Sequence, residues 1–228
     1  MHSMFHKHWR AFSRLRTSSL GKTTIRLSST SFLLRLPPSS ATREVPTPLL
    51  FVSSGEWDKN STEGMTTLAA MLAEKGFTCI ETNLARPLEL SSHNDSRRMM
   101  EHYESDLVSQ FRLTSIPFPP VILARSSACL IAQTYISSHP ASAMILINPP
   151  ASNKELQTEG KLPNDLEEFT YEPHFPIAVI TGSERQANRL REISRICQSD
   201  NVDLIVVEGL KEGKVLNEIE LWLDQLGI

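Results

Sequence analysis

The residues with the clearest chemical potential are the paired serines of "PPVILARSSACLIAQTYISSHP", positions 119–140. The apolar run Val121 to Ala124 ends at Arg125; Ser126 and Ser127 follow, then small residues and a helical pattern. This order places Ser126 on the corner between a buried strand and a helix. A hydroxyl presented there could attack a carbonyl carbon, provided a base takes its proton. Its neighbours at two places' distance, Ala124 and Ala128, are small enough for strand and helix to approach closely. The following helix would begin with its N–H groups aimed at the corner, where they favour an anion. The same residues also suit a tight turn with no chemistry.

The elements around that corner follow from hydropathy. Apolar runs at "PLLFVSSG", "FTCIETNL", "PPVILA", "SAMILINPP", "PIAVITG" and "VDLIVVEG" predict six strands. Between them lie helical periods. Met65, Leu68, Ala69 and Leu72 recur at i, i+3, i+4 and i+7, with Ser61 or Thr62 as expected cap and Gly76 behind. "DSRRMMEHYESDLVSQFRL", Ser127–Ser138 and residues 185–198 predict three further helices. The last helix carries Val215, Leu216, Ile219, Trp222, Leu223 and Leu226 on one stripe. Residues 149–175 read as a surface loop with one helical turn. Strands apolar throughout and separated by helices predict a three-layer α/β fold, a doubly wound and mostly parallel sheet. Ligands in such sheets bind at the carboxyl ends of the strands. That edge carries Ser54-Gly55, Ser126, Asn148-Pro149 and Gly182-Ser183.

Charge divides the chain in two. Residues 1–43 hold eight of the 23 Lys and Arg and no acid, so fifteen bases face all 26 acids in the remainder. Phe5, Trp9, Phe12 and Leu15 share one face of a helical wheel, with Lys7, Arg10 and Arg14 opposite. A Ser/Thr-rich, acid-free tract follows. This is the composition of a mitochondrial transit segment, and it predicts import to the matrix with cleavage between Arg26 and Arg43. A disordered basic tail that binds acidic partners is the other reading. The expected boundaries are 1–43 for the transit-like segment with its linker and 48–228 for the folded domain. No apolar run is long enough to span a membrane.

In detail, the corner resembles the nucleophile elbow G-x-S-x-G of the α/β-hydrolase family, with alanine in place of both glycines. The resemblance extends over about 48–228. "LLFVSSGEW" is similar to the family's strand and His-Gly turn, with Ser54 in the histidine place. "GFTCIETNLARP" is similar to the strand that ends in Asp-Leu, here Asn83-Leu84. "MILINPP" and "PIAVITGSE" resemble the next two strands, the second of which carries the acid. The resemblance implies Ser126 as nucleophile and Ser127 as one oxyanion N–H donor, with Glu56 or Trp57 as the other. It implies Glu184 as the acid. It also implies a hydrolase-like sheet without a large lid, since 149–175 is short.

A histidine should follow the sixth strand. The residues there are Gly209-Leu210-Lys211-Glu212-Gly213, and the last histidine of the chain is His174. Without a base a serine hydroxyl stays protonated near neutral pH. Other bases to weigh are His93, His102, His139, His174, Lys211 and Glu212. Arg125 could hold an acidic group, and Arg185, Arg189, Arg191 and Arg195 form a charged helix face for an acidic partner or simply for solvent.

Three functions fit these residues. One is a hydrolase scaffold without its chemistry, serving as a binding or assembly module for a protein partner not identifiable from sequence. Another is a serine hydrolase that acts on a small ester or thioester with an unusual base. The third is a binder of a small acyl compound without turnover. Cys79, Cys129 and Cys197 form no CxxC pair and no metal-ligand spacing is present. "SSLGKTT" lacks the first glycine and the preceding strand of a phosphate loop, so no cofactor and no nucleic acid are expected.

Overall fold

Each predicted strand forms, and one more precedes them. The computed structural model describes residues 29–87, 94–170, 174–199 and 201–228. Its strands are β1 (Ser31–Arg35), β2 (Val45–Ser53), β3 (Phe77–Asn83), β4 (Val121–Arg125), β5 (Ala143–Ile147), β6 (Ile177–Thr181) and β7 (Val202–Val206). Its α-helices are α1 (Met65–Glu74), α2 (Ser96–Leu113), α3 (Ala128–Ile136), α4 (Asn153–Thr158), α5 (Glu184–Ile193) and α6 (Glu212–Gln225). The basic amphipathic stretch at 5–15 lies outside the described residues.

The seven strands form one sheet in the order β1-β3-β2-β4-β5-β6-β7. β1 runs antiparallel to β3, and the remaining pairs are parallel. β1 was not expected, because Ser31–Arg35 sits within the acid-free segment. It belongs to the sheet nonetheless: Phe32 packs on the core, and Arg35 pairs with Glu81 of β3.

The core has two halves, one on each face of the sheet. α2, α3 and α5 cover one face through residues such as Met99, Tyr103, Leu107, Ile131 and Leu190. α1 and α6 cover the other through Leu68, Leu72, Ile219, Trp222 and Leu223. All five residues of β4, β5 and β6 are buried, which is why these strands read as apolar runs, closed only by Arg125 in β4 and Thr181 in β6. Truncating one of them, as in Ile145→Ala, would cost roughly 2–5 kcal/mol by the lost contacts and the cavity.

Two helix ends differ from the sequence expectation. α1 is not capped by Ser61 or Thr62. These sit in a 3₁₀ turn, Lys59–Thr62, and α1 starts after Gly64 with φ 71° and no side-chain cap. α5 ends at Ile193 because Ser194 is extended (ψ 118°); a separate 3₁₀ turn covers Ile196–Gln198. Gly76 is required where the chain leaves α1 for β3. It has φ 102°, and a Cβ there would lie 2.1 Å from the Arg43 carbonyl oxygen. Between β5 and β6 the described chain holds only the short α4 and no large lid. No helix among the described residues is long and apolar enough to cross a membrane.

Candidate active site

β4 delivers Ser126 to the carboxyl edge of the sheet, and α3 begins two residues later. The backbone between them turns sharply. Ser126 has φ 53°, a left-handed conformation that costs a non-glycine residue roughly 1–2 kcal/mol. Packing holds it there. The Ser126 amide donates to Ile147 O at 2.9 Å, and Ser126 O accepts from the Cys129 amide at 3.1 Å. Ala124 and Ala128 are fully buried, so larger side chains would not fit. The corner therefore has the strained strand-to-helix geometry of an elbow.

The Ser126 hydroxyl is already engaged. It donates to Oδ2 of Asp58 at 2.7 Å, and the Ser127 amide donates to the same oxygen at 3.0 Å. Lys161 Nζ lies 3.3 Å from that oxygen and 3.0 Å from Glu159. Asp58 thus occupies the place where a reacting carbonyl oxygen would take up negative charge.

The turn after β2 explains how Asp58 arrives there. Ser54 O accepts from both the Trp57 amide (3.1 Å) and the Asp58 amide (2.8 Å). Asp58 Oδ1 caps the 3₁₀ turn by accepting from the Asn60 amide at 3.2 Å. Ser61 ties the turn shut: its hydroxyl donates to Asp58 O at 2.7 Å and accepts from the Ser54 amide at 3.0 Å. Trp57 stacks on Tyr103 with centroids 5.4 Å apart, and its indole N–H donates to Lys161 O at 2.9 Å. One turn therefore positions both members of the Asp58–Lys161 pair.

Asp58 is 6% exposed. Burial by itself would push its carboxyl up. Hydrogen bonds from Ser127 and Ser126 and the Lys161 charge outweigh burial and bring it down to about 2. The group is a fixed anion at neutral pH. It lies within reach of the Ser126 proton, yet a base that binds protons so weakly is poorly matched to deprotonating an alcohol. A developing oxyanion would also meet the Asp58 charge at its own donor.

The other predicted residues are placed as follows. Ser127 lends its amide to Asp58, and its hydroxyl is buried without a hydrogen bond among the described residues. The Trp57 amide is used within its own turn. Glu56 accepts from the Arg86 amide at 3.2 Å. Glu184 lies exposed in the first turn of α5, and no hydrogen bond or ion pair among the described residues ties it to Ser126. Ser54, in the histidine place of the turn, is fully buried and donates to Leu84 O at 2.9 Å.

None of the alternative bases in the described chain is a partner of Ser126. His139 stacks on Tyr135 and lies 3.3 Å from Glu104, past the far end of α3. His102 belongs to α2, and exposed His174 precedes the amino end of β6. His93 lies outside the described residues. Lys211 is the exposed N-cap of α6. Glu212 reaches the flank of Gly64, beside Arg125. Arg125 itself is committed: it donates to Glu63 O (2.9 Å) and to Glu63 Oε2 (2.8 Å). The thiols are free, and burial pushes Cys79 up to about 12 and Cys129 well above its ordinary value. No cluster of metal-ligating side chains occurs among the described residues.

Sequence reasoning missed Asp58 and Lys161. Asp58-Lys59-Asn60-Ser61 carries the signal of a capped turn, but nothing local points to a contact with Ser126, 68 residues away.

No protein-family model and no curated protein matches the chain. Solved structures do. A serine hydrolase without a lid from Xanthomonas campestris has a TM-score of 0.61 at 14% identity, covering 86% of this chain and 89% of that one. An esterase from Thermogutta terrifontis also reaches 0.61 at 14% identity, covering 89% and 90%. A soluble variant of the monoglyceride lipase of Saccharomyces cerevisiae reaches 0.59 at 11% identity, covering 87% and 92%. At these identities the likeness is one of architecture. In its sheet order, its covering helices and its elbow, this chain has the α/β-hydrolase fold.

Proposed function

We propose that this protein keeps the hydrolase scaffold without hydrolase chemistry and serves in the mitochondrial matrix as a binding or assembly module. One observation carries the reading: the Asp58 carboxylate holds both the Ser126 hydroxyl and the Ser127 amide, the two groups that acyl transfer would need free. The absence of any histidine after His174 supports it. Location rests on the basic, acid-free composition of the first 28 residues, with no acid before Glu44.

One observation favours a serine hydrolase for small esters or thioesters. Ser126 is held at φ 53°, a strain that active sites often store. That reading needs Asp58 to leave the Ser127 amide and a base to take its place. Turnover of p-nitrophenyl acetate and of a short acyl thioester by the full chain separates the two. The proposal expects the wild-type rate to equal that of Ser126→Ala. A wild-type rate a hundredfold or more above the variant would establish the hydrolase. Residues 1–28 fused to a fluorescent protein should direct it to mitochondria; diffuse cytosolic signal would refute the location.

A further inference from the structure

Three donors converge on one oxygen atom. Asp58 Oδ2 lies 2.7 Å from Ser126 Oγ, 3.0 Å from the Ser127 amide nitrogen and 3.3 Å from Lys161 Nζ. A further donor, Ser127 Oγ, is fully buried and makes no hydrogen bond among the described residues. The donor set is cationic on one side and backed by the first turn of α3, so it favours an anion over a neutral carbonyl.

We propose that this corner is a carboxylate-binding site and that Asp58 is its resident ligand, so that a small free carboxylate enters only when residue 58 gives up its own. The turn carrying Asp58 is anchored at Ser61 and at Trp57, and the carboxylate does not ride on a free arm. The wild-type chain therefore keeps the site filled. The inference deepens the reading of a scaffold without chemistry and rests on it. It also places that scaffold's partners away from the elbow.

Size-matched rescue tests it. Asp58→Ala removes a formate-sized group, and Asp58→Gly removes an acetate-sized one. Thermal unfolding of the full chain is followed in sodium formate, acetate and chloride at equal ionic strength. At about ten times its dissociation constant, formate should raise the melting temperature of Asp58→Ala by roughly 3 °C over chloride. Acetate should do the same for Asp58→Gly. Wild type and Asp58→Asn should each keep one melting temperature of their own across all three salts. If Asp58→Ala is unfolded in chloride, a cooperative transition regained in formate is the same gain. Melting of both shortened variants alike in every salt, or an equal effect of formate on wild type, would overturn the site. Hydrolysis by wild type would sink the non-enzymatic reading and leave the salt result standing. Indifference to formate and acetate would sink the carboxylate site and leave the absence of turnover standing.

Discussion

Ser126 donates its hydroxyl to Asp58 Oδ2 over 2.7 Å, and the neighbouring amide of Ser127 binds the same oxygen. A side chain from the turn after β2 thereby does at the elbow what a substrate oxygen would do. The consequences can be measured.

Acid should release the plug. The Asp58 carboxyl is lowered from 3.8 to about 2, so the folded state binds its proton less readily than the unfolded chain. Its contribution, about 2 kcal/mol, is present above about pH 4 and is lost as the pH falls through about 2. Urea unfolding of wild type and Asp58→Asn across this range checks it. The stability gap should narrow from about 2 kcal/mol near pH 6 toward zero near pH 2. A gap independent of pH would contradict the assignment.

Position 126 should separate strain from hydrogen bonding. Ser126→Ala loses the bond to the carboxylate and keeps the left-handed backbone, a cost of about 2 kcal/mol. Ser126→Gly loses the same bond and relieves the backbone by roughly 1 kcal/mol. Glycine should therefore be the more stable of the two in chemical denaturation. Alanine equal to or above glycine would mean that φ 53° is not strained here.

β1 limits how far the chain can be shortened from its amino end. Thr30 Oγ1 accepts from the Ala85 amide at 2.9 Å and donates to Asp106, and Phe32 packs on the core. The expected cleavage window of 26 to 43 runs through these contacts. If residues 1–28 act as the targeting segment proposed above, N-terminal sequencing of the protein taken from mitochondria should place its amino terminus before Thr30. A chain starting at residue 29 should unfold with wild-type stability, while one starting at residue 37 should lose at least about 2 kcal/mol with the burial of Phe32. Equal stability of the two would make β1 dispensable.

The parallel strands were readable because burial on both faces writes an unbroken apolar run, as in Val121–Ala124 and residues 177–180. The elbow was readable because two close backbones demand small residues at 124 and 128. β1 was hidden by its exposure at the sheet edge, where Leu33 and Leu34 keep 46% and 39% of their surface and no alternation survives. Asp58 was hidden for a different reason. Its local role is that of any aspartate before a turn, and its second oxygen acts on residues brought close only by the β2–β4 pairing. Lys161 sits in a polar loop whose course depends on Trp57, a contact without a sequence period.

The most direct measurement is intact-mass analysis of the full chain after exposure to an active-site-directed fluorophosphonate. With the Ser126 proton held by Asp58 and the Ser127 amide occupied, the mass should stay that of the unmodified protein. A stoichiometric adduct, mapped to Ser126 and lost in Ser126→Ala, would contradict the account and make this corner a working nucleophile.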